Sequence, residues 1–197
     1  MLIPAPKNHM ENKYIKKTSI PGLLILERPV FEDERGFFKE IFHMDELEKE
    51  IGFEFKPVQM NHSRSLPSVL RGLHAEQWNK MIYPVTGTAF LAIVDLRPDL
   101  PSFAKVETFT IDDGQRFGLF IPNGLANSVC VVGDEPVDYI YLTDAYWDGS
   151  DQRAIAWDDP DLNIAWPIKN PIISERDKNN PRLRDLFKQV VDERAAH

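Results

Sequence analysis

The chain has 197 residues, 43% of them apolar, and a net charge of −8. A single cysteine, Cys130, excludes an intramolecular disulfide and any cysteine-cluster metal site, and an acidic balance without a basic block argues against nucleic-acid binding. One domain spanning 1–197 is expected, large enough to bury about 70% of its unfolded surface. No apolar run reaches the roughly 18 residues of a membrane span. The stretch Met1–Lys17 lacks the apolar centre of a secretion signal, so the expected setting is soluble, reducing and cytoplasmic.

Along the chain, Pro and Gly fall between short apolar runs, which suits many short strands. Residues 1–20 are polar, with Pro4, Pro6 and a Lys13/Lys16/Lys17 cluster, and read as an arm or edge strand. Strands are expected at Leu23–Glu27, Phe37–Phe42, Gln59–Arg64, Val69–His74, Lys80–Val85, Thr88–Leu96, Lys105–Ile111, Arg116–Ile121, Ser128–Val132 and Val137–Thr143. The pair around Thr86-Gly87 reads as a hairpin. A short helix is expected near 43–51. A second is expected near 181–193, with Asn180 as N-cap, Pro181 as first helical residue and Leu183, Leu186, Phe187, Val190 and Val191 as its apolar face. Short strands with short connections make the chain all-β, a sandwich or barrel.

No Gly-rich phosphate loop, nucleophile elbow or HExxH is present. The histidines (His9, His43, His62, His74 and His197) form no HxH or HxxxH pair, so no bound metal is expected. Gln59, Asn61 and Ser63 share one strand parity, which fits a solvated face or a polar cavity, the former by composition. His74 ends a strand beside Glu76 and Lys80; a lone histidine there is more often structural. Strict alternation would put Arg71 opposite His74 unless Gly72 permits a bulge. Tyr139 and Tyr141 share a face, as core aromatics or, for one of them, as a poised proton donor; composition favours the core.

Eight segments carry a resemblance: D-E-R-G-F-F-K-E (Asp33–Glu40), Q-M-N-H-S (Gln59–Ser63), V-L-R-G-L-H (Val69–His74), V-D-L-R (Val94–Arg97), I-P-N-G-L-A-N (Ile121–Asn127), Y-L-T-D-A-Y (Tyr141–Tyr146), W-D-D-P (Trp157–Pro160) and I-S-E-R-D (Ile173–Asp177). In this order and spacing the chain resembles the dTDP-4-dehydrorhamnose 3,5-epimerase family. The resemblance implies a cupin-like jelly-roll β-barrel over 21–170, followed by a C-terminal segment over 171–197. It implies an isomerase of nucleotide-sugar metabolism, in dTDP-rhamnose biosynthesis, that needs no cofactor. Such an enzyme removes protons from C3 and C5 beside a 4-keto group and returns them on the opposite faces, which calls for a base, an oxyanion stabiliser and an acid.

By that resemblance His74 is the base and Asp177 its orienting carboxylate, Lys80 steadies the enolate oxygen and Tyr141 is the acid. Arg35, Phe38 and Glu40 resemble a nucleotide-binding arm that reaches a neighbouring subunit, in a homodimer with an exchanged N-terminal strand. Gln59, Asn61 and Arg71 resemble diphosphate and sugar contacts, and Tyr146 is expected near the sugar or base.

The run H-A-E-Q-W-N-K (His74–Lys80) is shorter than in many members, and Asn127 stands where many have histidine. An amide donates a hydrogen bond but does not titrate near neutrality. Trp78 is either a stacking surface for the base or a tryptophan packed on the rim. These departures keep open a mono-epimerase of C3 or C5 or another nucleotide 4-ketosugar as substrate; a non-catalytic sugar-nucleotide binder and a metal-dependent cupin stand as alternatives of a different class.

Overall fold

The computed structural model describes residues 12–149 and 153–195. His9 and His197, and the first half of the arm expected over 1–20, lie outside the described residues. Among the described residues, twelve strands and three helices follow in chain order. The strands are β1 (Ile15–Lys17), β2 (Leu24–Leu26), β3 (Phe31–Asp33), β4 (Gly36–Phe38), β5 (Gln59–Ser65), β6 (Leu70–His74), β7 (Lys80–Thr86), β8 (Thr88–Asp95), β9 (Val106–Ile111), β10 (Gly118–Ile121), β11 (Leu125–Val132) and β12 (Val137–Thr143). The helices are α1 (Met44–Ile51), α2 (Glu175–Lys178) and α3 (Leu183–Ala195). No helix among the described residues is long and apolar enough to cross a membrane.

Two antiparallel sheets face each other in a cupin-like jelly roll, one ordered β1-β2-β10-β7-β12-β5 and the other β6-β11-β8-β9. Their inner faces interdigitate through Ile82, Leu119, Val137 and Tyr139 from the first sheet and Leu91, Ile93, Phe109, Ile111 and Val131 from the second. Burial of this kind contributes roughly 25 cal/mol per Å² of apolar surface. The outer faces are covered too, which explains why β8 reads as the unbroken apolar run Ala89–Val94 rather than an alternation. Its Ala92 and Val94 pack under the chain that follows β12, against Ile155, Leu162 and Leu183. On the first sheet, α1 brings Leu47 down onto Leu24, Met81 and Phe120.

Several local expectations are corrected. Thr86-Gly87 is not a hairpin, because β7 and β8 lie in different sheets and the chain crosses between layers there. Gly87 makes the crossing with φ +72°, and a Cβ on it would meet the Pro136 carbonyl oxygen at 2.4 Å. The turn before β12 is thus packed against the turn after β7. The C-terminal helix begins two residues later than expected. The Pro181 carbonyl is engaged by the Ala156 N–H, and the Leu183 N–H donates to Asp159 Oδ2 at 2.7 Å. Asn180 is therefore not its cap. A break at Phe187 turns Leu186 outward, 48% exposed, so Leu186 leaves the apolar face. The strand expected at Phe37–Phe42 is a short hairpin, β3 with β4, in which all six strand residues are exposed.

Candidate active site

The site is built where β6 runs out. Between Arg71↔Val129 and His74↔Asn127 the pairing shifts, three steps along β6 matching two along β11. This bulge resets the alternation, so Arg71 and His74 both escape the strict parity that would oppose them. Gly72 is required there: it has φ +132°, and a Cβ would lie 2.7 Å from the Ser128 Cβ. The segment before α2 is tied to the same strand by Leu70 N–H to the Ile172 carbonyl and Ile172 N–H to the Ser68 carbonyl. That tie delivers Asp177 to the end of β6.

There Asp177 Oδ1 meets His74 Nε2 at 2.8 Å, with Asp177 only 3% exposed. The carboxylate is oriented by further donors. The Gly72 N–H reaches it at 3.4 Å and the Asn180 amide at 3.4 Å, while the Asp177 N–H is itself fixed on Ser174 Oγ. Burial alone would push this carboxyl up, but the His74 contact, backed by Gly72 and Ser174, carries it below its ordinary range.

Across the cleft, Lys80 opens β7 and is buried. Its ammonium donates to Glu76 Oε2 at 3.0 Å and to Asn127 Oδ1 at 3.4 Å, and lies 5.3 Å from the Tyr141 ring centroid. The Asn127 amide donates to the His74 carbonyl at 3.0 Å, linking the two sides. Burial pushes the Tyr141 phenol up, with the neighbouring Tyr139 and Glu76 adding to it. Burial also opposes ionisation of Glu76, but Lys80, with a smaller contribution from His74, brings that carboxyl below its usual range.

Of these groups His74, Glu76 and Tyr141 line a cleft of about 280 Å³, together with Gln59, Asn61, Trp78, Thr143, Trp147 and Arg176; Lys80 is joined to it through Glu76 and Asn127 through the His74 carbonyl. A second hollow of about 410 Å³ lies on the other side of His74, bounded by Arg71, Asp177 and Arg176 among others. Three kinds of donor in the first cleft are buried without a hydrogen-bond partner among the described residues: Asn61 Nδ2, Trp78 Nε1, and Nε with one terminal nitrogen of Arg176. Buried donors without acceptors are costly, so this cleft is organised to receive a ligand rich in acceptor oxygens. No group of three or more metal-ligating side chains occurs among the described residues.

The sequence expectations sort accordingly. His74, Lys80, Asp177, Asn127, Tyr141, Gln59, Asn61 and Trp78 come together. Gln59 and Asn61, joined at 2.8 Å, occupy the inner face of β5, which corrects the solvated-face reading. Tyr139 is core, whereas Tyr141 borders the cleft. Trp78 lines the cleft with its indole N–H buried, rather than being packed on the rim. Arg71 reaches the second hollow while its Nε donates to Ser65 Oγ. Tyr146 is 70% exposed and borders neither hollow; its neighbour Trp147 lines the cleft instead. Arg35, Phe38 and Glu40 lie on or just after the exposed hairpin, Arg35 paired with Asp33 and Glu40 with Arg28; none borders this chain's cleft. Sequence reasoning missed Arg176 and Glu76. Each stands beside an assigned residue, Arg176 next to Asp177 and Glu76 two after His74, and that adjacency was the available signal.

A jelly roll whose mouth holds an oriented histidine, a buried ammonium and a facing phenol defines an acid–base enzyme of the cupin-like kind. The chain belongs to the dTDP-4-dehydrorhamnose 3,5-epimerase family, whose model matches residues 17–185. It is 38% identical over 173 residues to the dTDP-4-dehydrorhamnose 3,5-epimerase of Shigella flexneri, covering 86% of this chain and 95% of that protein. Among solved structures it resembles a 4-keto-6-deoxy sugar epimerase from the novobiocin biosynthetic cluster of Streptomyces spheroides, at TM-score 0.84 and 27% identity, covering 88% and 89% of the two chains. It also resembles the dTDP-6-deoxy-D-glucose-3,5-epimerase of Legionella pneumophila in complex with dTDP-4-keto-L-rhamnose, at TM-score 0.81 and 30% identity, covering 89% and 95%.

Proposed function

We propose that the protein inverts C3 and C5 of dTDP-4-dehydro-6-deoxy-D-glucose, giving dTDP-4-dehydro-L-rhamnose. The observation that carries this reading is a cleft lined by His74 and Tyr141, with Asp177 bonded to His74 and the buried Lys80 ammonium bonded to the cleft residue Glu76 and to Asn127. Asp177 holds the Nε2 side of His74, leaving Nδ1 as the basic nitrogen. It takes the proton from the carbon beside the 4-keto group, the C–H electron pair becomes the enolate double bond, and the ketone oxygen becomes the oxyanion. Lys80 lies beside that oxygen and stabilises it as charge develops. The buried Tyr141 phenol then donates its proton to the opposite face of the carbon. No electron is gained or lost overall, so the reaction needs no redox cofactor.

The unpartnered donors of Asn61, Trp78 and Arg176, with Gln59 and Arg71 beside them, suit the oxygens of the sugar and diphosphate. Their cationic members reconcile an acidic chain with a doubly charged substrate. The exposed hairpin, with Phe31 57%, Phe37 57% and Phe38 64% accessible, supports a homodimer: an isolated two-stranded ribbon does not bury such aromatics by itself. In that dimer Arg35, Phe38 and Glu40 reach the second copy's cleft, and the protein works in the cytoplasm.

The test is incubation with dTDP-4-dehydro-6-deoxyglucose in heavy water, with deuterons counted by mass spectrometry and located by NMR. Two deuterons, at C3 and C5, are expected. One deuteron would replace this reading with a mono-epimerase, for which the non-titrating Asn127 is the motivating difference. None would mean another substrate or a binding protein.

A further inference from the structure

Glu76 is an anomaly in a cleft that receives an anionic ligand and generates an enolate. Its side chain is 15% exposed, and it lines the same wall as His74 and Tyr141. A buried carboxylate there repels both the substrate and the developing oxyanion unless its charge is used. It is used on Lys80, whose side chain is 8% exposed. An ammonium has three N–H donors. Glu76 takes one at 3.0 Å and Asn127 a second at 3.4 Å, which leaves one for the substrate. The ion pair closes across the loop between β6 and β7, so neither partner is held by helix geometry. The Lys80 ammonium lies 5.3 Å from the Tyr141 ring centroid, where an uncompensated cation would draw the phenol toward its ionised form.

We infer that Glu76 is a positioning residue for the reaction: it fixes the Lys80 ammonium with one donor free and offsets its charge beside Tyr141. This rests on the epimerase reading above. The charged and titratable groups around Glu76 and Tyr141 are His74 from β6, with Asp177 behind it, Lys80 from β7, Tyr139 from β12, Arg176 from α2 and, farther along β6, Arg71. Among these, Glu76 and Tyr139 oppose ionisation of the Tyr141 phenol and Arg71 favours it. Removing the Glu76 charge therefore moves Tyr141 toward the phenolate at lower pH.

The test has two arms on the full-length protein. In the first, ionisation of Tyr141 is followed by tyrosinate difference absorbance, subtracting Tyr141→Phe in the same background. Glu76→Gln is expected to lower the midpoint relative to wild type, because a charge that opposes ionisation of the phenol is gone. Glu76→Asp keeps the charge and should leave the midpoint near wild type. Equal shifts in both variants would assign the effect to packing and overturn the inference, as would no shift in Glu76→Gln. This arm needs no substrate, so it decides the role of Glu76 even if the wild-type protein exchanges no proton from the proposed sugar, a result that would sink only the epimerase reading. In the second arm, Glu76→Gln is expected to lower kcat about tenfold and leave KM within about twofold, with the basic limb of the kcat profile displaced to lower pH. An unchanged kcat and unchanged limb in an active enzyme would overturn it.

Discussion

His74 meets Asp177 at 2.8 Å in the cleft, and His62 meets Asp138 at 2.8 Å on the outer face of β5 and β12. The contact geometry is the same and the surroundings are not. His74 is 23% exposed, its carboxylate is 3% exposed, and it borders two hollows. His62 is 64% exposed, and its carboxylate also takes Arg64 and Thr86. A histidine–carboxylate pair becomes an acid–base device only where water is excluded and another face of the ring is open to a ligand. On the outer face the same pair links neighbouring strands with its imidazole in solvent, and such half-solvated pairs contribute little.

The sharpest way to break this comparison is to remove each imidazole. His74→Ala should lower proton exchange about 10³-fold while the far-ultraviolet circular dichroism stays native, because general-base catalysis typically supplies 10²–10⁴-fold. Near-wild-type turnover would remove His74 from the mechanism. Asp177→Asn should cost about 10- to 100-fold in kcat and about 1–3 kcal/mol in stability, read by urea denaturation, since the buried carboxylate satisfies His74 and Gly72 together. Arg176→Ala should raise KM about tenfold with a smaller change in kcat, because two of its nitrogens are buried at the cleft without a hydrogen-bond partner among the described residues; a pure kcat effect would contradict a binding role. At the small end, His62→Ala should leave kcat/KM within about twofold and the melting temperature unchanged within error. A large loss there would mean that the outer face contributes to activity.

Acid titration compares the two pairs directly. Both carboxyls are held below their ordinary range, Asp177 against its own burial and Asp138 mainly through the hydrogen bond to His62. A carboxyl depressed in the folded chain contributes stability above the unfolded range of about pH 4 and loses it as the pH falls through the folded value. The stability gap between wild type and Asp177→Asn should therefore be full at neutral pH and shrink on acidification below about pH 4. The corresponding gap for Asp138→Asn should be smaller at every pH, because its partner is solvated.

The strands were largely legible from the sequence, because alternation and turn residues are local properties; β12 lies at Val137–Thr143 as its pattern implies. Which sheet each strand joins was not legible at Thr86-Gly87. A two-residue turn signal does not distinguish a hairpin from a crossing between layers, and the pairing that decides it, β7 with β10 and β12, is distant in sequence. The order of motifs pointed to His74, Lys80, Tyr141 and Asp177, yet periodicity alone favoured a solvated face for Asn61 and a core place for Tyr141. Parity says which residues share a side, and only the second sheet says which side is covered.

The sequence by itself determined an acidic, strand-rich chain with an amphipathic C-terminal helix and the residue types for base, acid and cation. The partnership of Asp177 with His74 was implied by the resemblance alone; the contact itself, made from a one-turn helix about a hundred residues later, was decided by the tertiary structure. Only the tertiary structure decided that Arg71 and His74 escape strict alternation through a bulge, and that Glu76 and Arg176 belong to the cleft while Tyr146 does not. The reason is physical: composition and periodicity report local preference, whereas burial, ion pairing and the shift of a carboxyl depend on groups brought together from distant parts of the chain.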